Sequence, residues 1–250
     1  MNSSDTRKAG PLLYLRSAIF YLLMSVSLII LFVSMVLASP FDYRWRAALG
    51  RVWSGFQMWS LQVCCGLRYQ ITGQENTPDQ PYVAMVKHQS AWETIVSHIL
   101  FHDAAWVFKR QLLWLPLLGW GLALTKPIAV DRTTPKKALD QVIKQGKALL
   151  KDGRTIVIYP EGTRVTPGQR GKYMPGGSLL AVKAGVPALP VAHNAGVFWP
   201  RSSFVKFPGT IQVVIGPPIE SEGKTARELT RAVEDWIEAA MTDLPSTTDA

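Results

Sequence analysis

The 250-residue sequence contains only two cysteines, and these are adjacent, at Cys64 and Cys65. Neighbouring cysteines make an improbable disulfide, so a disulfide framework is excluded and a reducing compartment fits. The Gly-x-Ser-x-Gly turn of serine hydrolases and the P-loop of nucleotide enzymes are also absent. His98 and His102 have the spacing of two metal ligands on a helix, but Ile99 replaces the glutamate of the metalloprotease pattern. We therefore expect no metal site.

Acidic residues are scarce in the middle of the chain. Between Lys109 and Lys206 there are 16 Lys and Arg against 4 Asp and Glu, whereas the residues after Lys206 have 3 against 8. Such a basic surplus indicates an anionic partner, which could be nucleic acid, lipid headgroups, a phosphorylated substrate or an acidic carrier protein. No zinc-knuckle, RNP or helix-turn-helix pattern is present, so we expect no nucleic-acid partner. A non-catalytic basic module that binds nucleic acid or anionic lipid stays open as an alternative.

A long uncharged segment lies near the N-terminus. Residues 18–38 are 21 residues without a charge, which is long enough to cross the hydrocarbon core of a bilayer. Three basic residues precede the segment and three follow it, so the positive-inside rule gives no orientation. Residues 52–67 are also uncharged, so segments 11–38 and 41–67 could form a helical pair within one leaflet. The sequence predicts a membrane anchor over 1–67, as a single transmembrane helix or as this pair.

Short apolar runs alternate with helical patterns in the rest of the chain. Strands are predicted at 82–86, 105–108, 128–130, 155–159, 188–192 and 211–215. Helices are predicted to begin at Ser90, Thr134 and Thr225, the last with Glu228 in a capping box. Residues 111–125, apolar but too short to span a bilayer, are interpreted as a buried or interfacial hydrophobic loop.

This alternation predicts an α/β fold whose central sheet is mainly parallel or mixed and is flanked by helices. The catalytic domain is predicted over residues 68–242. Residues 243–250 are predicted to form a flexible tail. The N-terminal membrane-associated helical segment precedes this domain.

His88 follows the strand predicted at 82–86, and Glu93 comes five positions later. A carboxylate beside an imidazole fixes its tautomer, which lets the ring take a proton from a hydroxyl group. On one continuous helix the two residues would lie about 140° apart, so they converge only if His88 precedes the helix. The pair predicts a general base.

A second polar string, Glu161-Gly162-Thr163-Arg164, follows the strand predicted at 155–159. Pro160 and Gly162 turn the chain there, at the end of a strand, which is where open α/β sheets bind ligands. The sequence therefore predicts that this turn belongs to the same site as His88.

Both strings resemble signature blocks of the glycerolipid acyltransferase family, which read His-x4-Asp and Phe-Pro-Glu-Gly-Thr-Arg. Two further blocks fit in order, one beginning at Phe108-Lys109-Arg110 and one at residues 186–191, so the resemblance covers about residues 80–195. Glu93 replaces the usual Asp, and Tyr159 replaces the usual Phe.

The resemblance implies transfer of an acyl chain from acyl-CoA or acyl carrier protein to the free sn-2 hydroxyl of 1-acyl-glycerol-3-phosphate (lysophosphatidic acid), giving phosphatidic acid. His88 and Glu93 would form the catalytic dyad. The acceptor phosphate would bind to Lys109, Arg164 and Arg110. Substrate orientation would fall to Glu161, Gly162 and Thr163, with the Glu161 carboxylate holding Arg164 or a glycerol hydroxyl.

The same resemblance implies neither a metal nor a cofactor, because the thioester donor is already activated. The expected partners are membrane lipids, lysophosphatidic acid and acyl-CoA or acyl carrier protein. The expected location is the bacterial inner membrane, with the catalytic domain on the cytoplasmic side. Another lysolipid, such as a lyso-aminolipid, stays open as the acceptor.

Overall fold

The computed structural model describes residues 9–101, 103–131 and 134–246. The strands are β1 (Leu67–Thr72), β2 (Val83–Val86), β3 (Ala104–Lys109), β4 (Ile128–Val130), β5 (Thr155–Ile158), β6 (Ala188–His193) and β7 (Gly209–Ile215). The helices are α1 (Pro11–Leu37), α2 (Tyr43–Ser60), α3 (Trp92–Leu100), α4 (Leu118–Leu124), α5 (Pro135–Lys151), α6 (Gly176–Ala184), α7 (Ala195–Phe198) and α8 (Ala226–Asp243).

The seven strands form one mixed sheet in the order β1-β7-β6-β2-β5-β3-β4. Only the β6–β7 pair is antiparallel among the described strands, and β1 runs parallel to β7. The strands β6, β2, β5, β3 and β4 are therefore all parallel to one another. The α/β prediction with a mixed sheet is confirmed, and five carboxyl ends meet at one edge of the sheet.

Each face of the sheet is covered by its own helices. In β2 the side chains alternate, so Ala84 and Val86 pack with residues of α1, α2 and α3, whereas Val83 and Met85 pack with residues of α5, α6 and α8. All four residues of β2 are buried, as expected for a central strand of a parallel region. The apolar run predicted as the strand at 82–86 thus lies at the centre of the core.

Helices α1 and α2 form an antiparallel pair. Near the middle of α1, Ser27 Oγ accepts hydrogen bonds from Trp53 Nε1 at 3.1 Å and Gln57 Nε2 at 2.9 Å. At the turn between the helices, the buried Arg46 guanidinium donates at 3.0–3.1 Å to the carbonyl groups of Ala38, Ser39 and Phe41. These bonds fix the two helices against each other.

Helix α1 is long and apolar enough to cross a membrane. One side of it packs on the rest of the protein at two separate places, since Phe20 meets Trp199 with ring centroids 5.6 Å apart and Phe32 meets Trp120 at 6.1 Å. The other side is exposed and apolar, with Leu12, Leu15, Leu22, Val26, Ile30 and Val33. The N-terminal segment is thus a candidate membrane segment that also contacts the catalytic region along its length.

The structure differs from the sequence analysis in several elements. Strand β1 was not predicted, and it begins at Leu67, the last residue assigned to the anchor. Residues 111–125 are not a loop, because a 3₁₀ turn (Arg110–Trp114) and α4 occupy most of this stretch, and Trp114 and Trp120 are exposed. Helix α3 begins at Trp92 with Ala91 as its N-cap, and Ser90 Oγ, which was predicted to cap the helix, accepts the Trp92 N–H at 3.2 Å.

The C-terminal helix begins as predicted. Thr225 and Glu228 form the reciprocal capping box of α8. The predicted tail packs on the fold where it is described, because Leu244 is buried and the Pro245 carbonyl accepts a hydrogen bond from Asn194 Nδ2 at 3.1 Å. Residues 247–250 of that tail lie outside the described residues.

Candidate active site

His88 and Glu93 meet at the edge of the sheet where the parallel strands end. His88 Nδ1 lies 2.8 Å from Glu93 Oε1. His88 is in the turn after β2, and Glu93 is in the first turn of α3, which is the arrangement that their spacing required. The Glu93 side chain is 1% exposed and that of His88 is 15% exposed, so the carboxylate is enclosed while the imidazole reaches solvent.

Backbone groups hold the Glu93 carboxylate in place. Glu93 Oε1 accepts the N–H groups of Gln89 at 2.9 Å and Ser90 at 2.8 Å, in the same turn as His88. Burial alone would raise the pKa of Glu93, but the hydrogen bonds from the His88 ring and the Ser90 N–H hold it below its usual value. An ionised Glu93 fixes the proton on His88 Nδ1, which leaves Nε2 as the ring atom able to accept a proton.

The Tyr159 ring covers the imidazole of His88. The two ring centroids are 4.3 Å apart with the planes 18° from parallel. Tyr159 follows β5 directly, so the neighbouring parallel strands β2 and β5 bring the two rings together at their carboxyl ends. Burial raises the pKa of Tyr159, which keeps the phenol neutral beside the imidazole.

Glu161 does not make the contact with Arg164 that was predicted for it. Its side chain is fully buried, Oε2 accepts the backbone N–H of His88 at 2.7 Å, and Oε1 is paired with Lys87 Nζ at 2.7 Å. The predicted contact of Glu161 with Arg164 is not formed, because the Glu161 oxygens contact Lys87 and the His88 backbone instead. The role of Glu161 in substrate orientation stays a prediction. Gly162 and Thr163 are exposed at the tip of the turn, where Gly162 has a φ of +66°.

Arg164 lies in a groove beside the dyad. The groove has a volume of about 430 Å³, and its lining includes Thr94 of α3, Tyr21 and Met24 of α1, and Trp199. The next residue after Arg164 donates its backbone N–H to the His88 carbonyl at 2.8 Å, which sets Arg164 close to the catalytic turn. Within the described part of the chain no carboxylate pairs with the Arg164 guanidinium. A half-buried cation of this kind is suited to an anionic ligand.

Lys109 and Arg110 are exposed at the carboxyl end of β3. This is the same edge of the sheet as His88, because β3 is parallel to β5. Neither residue lines the groove that contains Arg164. The structure therefore ties Arg164 to the turn of His88 through the backbone of the next residue, and it leaves Lys109 and Arg110 at the rim of the same edge, outside the groove.

A family model described as acyltransferase matches residues 68–194. The 1-acyl-sn-glycerol-3-phosphate acyltransferase of Pseudomonas aeruginosa is 45% identical over 238 residues, which are 92% of this chain and 91% of that protein. The chain belongs to the acyltransferase family. The chloroplastic 1-acyl-sn-glycerol-3-phosphate acyltransferase BAT2 of Brassica napus is 28% identical to this chain. The matched region is 82% of this chain and 61% of the plant protein.

The fold of this acyltransferase also occurs in a solved structure. The crystal structure of PlsC, the 1-acyl-sn-glycerophosphate (LPA) acyltransferase from Thermotoga maritima, superimposes with a TM-score of 0.77 at 21% identity and covers 92% of this chain and 94% of that chain. This likeness shows the fold. The family match and the identity to the Pseudomonas aeruginosa protein show that the protein is an enzyme, so the alternative of a non-catalytic basic module is wrong.

Among residues 9–101, 103–131 and 134–246, no three His, Cys, Asp or Glu side chains cluster as metal ligands. His98 packs on Trp106 with the ring centroids 4.0 Å apart, and burial lowers the pKa of His98 to about 4. His102, the second member of the histidine pair in the sequence, lies outside the described residues.

Four residues around the dyad were missed in the sequence. They are polar side chains that contact the residues next to His88 or one another: Lys87, Tyr173, His193 and Glu238. His193 Nε2 donates to the Lys87 carbonyl at 2.7 Å. Its Nδ1 accepts the Ala195 N–H at 3.2 Å, so the ring proton lies on Nε2, and burial lowers the pKa of His193. Lys87 had a detectable signal, because it is a charge placed directly after four apolar strand residues. The other three had none.

Proposed function

We propose that this acyltransferase moves an acyl chain from the thioester of acyl-CoA or acyl carrier protein to the free sn-2 hydroxyl of 1-acyl-glycerol-3-phosphate, giving phosphatidic acid. The observation that carries the proposal is the His88–Glu93 pair beside the groove of Arg164, at one edge of the sheet. The names of the relatives from Pseudomonas aeruginosa and Brassica napus support the same substrate.

The chemistry follows from the orientation of His88. Its Nε2 takes the proton of the acceptor hydroxyl while the alkoxide oxygen attacks the thioester carbonyl carbon. Glu93 stabilises the imidazolium that forms. The C–S bond then breaks, and the departing thiolate takes the proton back from Nε2. The thioester is already activated, so the proposal includes neither an acyl-enzyme nor a metal or cofactor.

The groove has the composition that a lysophospholipid needs. Arg164 supplies a guanidinium for the phosphate, and Tyr21, Met24 and Trp199 supply an apolar wall for the acyl chain. Tyr21 and Met24 belong to α1, so a lipid lying along the apolar helix would reach the groove without leaving an apolar surface. Lys109 and Arg110, at the rim, would add positive charge for the phosphates of either substrate.

We also propose that α1 and α2 lie together in one leaflet of the bacterial inner membrane, with the catalytic domain on the cytoplasmic side. Support comes from the antiparallel packing of the two helices and from the contacts of α1 with Trp120 and Trp199, which are made at two separate places along the helix. Protease treatment of sealed vesicles checks this with a tag ahead of residue 7. We expect cleavage from the catalytic side, and protection there would indicate a single-pass helix.

Release of free thiol by the purified full-length enzyme tests the reaction. We expect wild-type turnover with 1-acyl-glycerol-3-phosphate, and we expect His88→Ala to lower kcat by about 10²- to 10⁴-fold with little loss of stability. Glu93→Gln should also lose rate, whereas Glu93→Asp should keep part of it because the carboxylate is retained. His98→Gln is the matched control, since it removes another imidazole from the same part of the fold.

The acceptor is tested in the same assay. Arg164→Ala should raise the KM for a phosphate-bearing acceptor more than the KM for the thioester donor, because the lost contact is with the acceptor. Near-normal turnover by His88→Ala would refute the mechanism. Preference for a lysolipid without a terminal phosphate, unaffected by Arg164→Ala, would replace lysophosphatidic acid with another acceptor.

A further inference from the structure

Lys87 joins three parts of the fold through one buried ammonium group. It lies between β2 and His88, and its side chain is 1% exposed. Lys87 Nζ is 2.7 Å from Glu161 Oε1, in the turn after β5, and 2.7 Å from Glu238 Oε1, on α8. The turn that carries His88 is therefore tied to the last helix of the chain by charge.

Glu161 connects the Lys87 ammonium to the backbone of His88. Its second oxygen accepts the His88 backbone N–H at 2.7 Å, and the Val165 N–H donates to the His88 carbonyl at 2.8 Å. The chain passes close above the carboxylate, because a Cβ atom at Gly171 would lie 2.9 Å from Glu161 Oε1. The position of the His88 backbone thus depends on the Glu161 carboxylate, which is enclosed by Lys87, by the catalytic turn and by the chain at Gly171.

The groups that face Glu161 come from several elements. Lys87 lies at the end of β2, Glu238 lies on α8, and Tyr173 lies before α6. The Tyr173 hydroxyl donates to Glu238 Oε1 at 2.8 Å. One ammonium group therefore serves two carboxylates. Burial raises the pKa of Glu161, the Lys87 ammonium opposes this rise, and the charge of Glu238 adds to it.

We propose that Lys87 and Glu238 are positioning residues for acyl transfer. The ammonium of Lys87 keeps Glu161 ionised, so that Glu161 accepts the His88 N–H. The negative charge of Glu238, on α8, opposes the ionisation of Glu161. The inference rests on the proposed function, since His88 must be the base. Lys87 and Glu238 act through Glu161 and not on the substrate.

The two residues should shift the pH dependence in opposite directions. Without the ammonium, Glu161 takes up a proton at higher pH and loses its charge-assisted bond to His88, so a Lys87 variant should recover activity as the pH rises. Without the charge of Glu238, Glu161 stays ionised to lower pH, so a Glu238 variant should gain relative activity on the acidic side. A merely structural role would lower activity in both variants without these opposite trends.

The test measures kcat and KM of the full-length enzyme over a range of pH, with each variant expressed as a ratio to wild type. Lys87→Met should lower kcat about tenfold to a hundredfold near neutrality with little change in KM, and its ratio should rise with pH. Lys87→Arg should keep most of the activity. Glu238→Gln should give a ratio that rises toward low pH. In Lys87→Met/Glu161→Gln the pH trend of the single variant should disappear.

Arg154→Met is the control for loss of a buried cation elsewhere. Arg154 lies at the opposite end of β5 and donates to the carbonyl groups of Ala104 and Lys126 at 2.9 and 3.0 Å. This variant should lose stability without a pH trend in its activity ratio. Folding of every variant is checked by its unfolding transition before kinetics.

The outcomes separate the inference from the proposed function. Absence of turnover in wild type would refute the function. Turnover in wild type with pH-independent ratios for Lys87→Met and Glu238→Gln would overturn the inference alone, as would an effect of Lys87→Met on KM only. If Lys87→Met does not fold, Glu238→Gln decides: a ratio rising toward low pH supports the inference, and a flat ratio overturns it.

Discussion

Lys87 and Lys206 are both buried, yet their surroundings are opposite. Lys87 lies at the catalytic turn between the carboxylates of Glu161 and Glu238. Lys206 lies against α1, with Nζ 3.3 Å from the centroid of the Tyr21 ring and 4.5 Å from that of Trp199. Among the described residues no carboxylate pairs with Lys206, whose Nζ donates to a backbone carbonyl at 2.7 Å.

The comparison shows which effect dominates at each site. A single cation–π contact contributes about 0.5–2 kcal/mol. Desolvation of an ammonium group costs several kcal/mol, which exceeds the contribution of any one ring. Accordingly, burial lowers the pKa of Lys206 to about 7. The lysine at the catalytic turn is therefore paired with two carboxylates, whereas the lysine in contact with α1 has a pKa near neutral pH.

Removing the Lys87 ammonium should have the largest effect on stability. Lys87→Met leaves Glu161 and Glu238 close together without a cation, and breaking a buried pair costs about 3–5 kcal/mol. We expect the free energy of unfolding of the detergent-solubilised enzyme to fall by about that amount at neutral pH, as measured by denaturant titration. Part of the loss should return in Lys87→Met/Glu161→Gln, where no buried charge is left unpaired at Glu161. A loss within the range of ordinary surface substitutions would show that water replaces the ammonium.

The difference between the two lysines could not be predicted from the sequence. Both belong to a chain with a large basic surplus, which indicates anionic partners and says nothing of burial. The contact of Lys87 with Glu161 depends on β2 and β5 being neighbours, and the contact of Lys206 with Tyr21 depends on how α1 docks. Strand order and helix docking are tertiary properties that periodicity does not contain.

Local spacing, by contrast, was informative. The geometry of His88 and Glu93 was predicted because it needs only a turn followed by a helix, and the capping box at Thr225 is likewise local. Strand β1 was missed because it follows the apolar N-terminal segment directly and pairs with β7, from the far end of the chain. Glu161 was assigned to the wrong partner because its neighbours in sequence, including Arg164, are not its neighbours in space.

The smallest effect is expected at Lys206. Lys206→Met replaces a long side chain with an apolar one of similar length, so the cage stays filled and the cost of burying an ammonium disappears. At neutral pH we expect its free energy of unfolding to lie within about 1.5 kcal/mol of wild type. Lys206→Ala is the control, and it should be less stable than Lys206→Met because it leaves a cavity among the aromatic rings.

The pH dependence of the stability of wild type and Lys206→Met shows whether desolvation or cation–π attraction dominates at Lys206. The pKa of Lys206 is about 7 in the folded protein, below the ordinary lysine value of 10.5, so between these values the unfolded chain binds more protons. The free energy of unfolding of wild type should therefore rise with pH across this window relative to Lys206→Met, whose residue 206 does not titrate. Denaturant titrations of both proteins at several pH values measure the difference. A difference that falls as the pH rises would mean that the aromatic rings hold the charged form, and that cation–π attraction exceeds desolvation at this site.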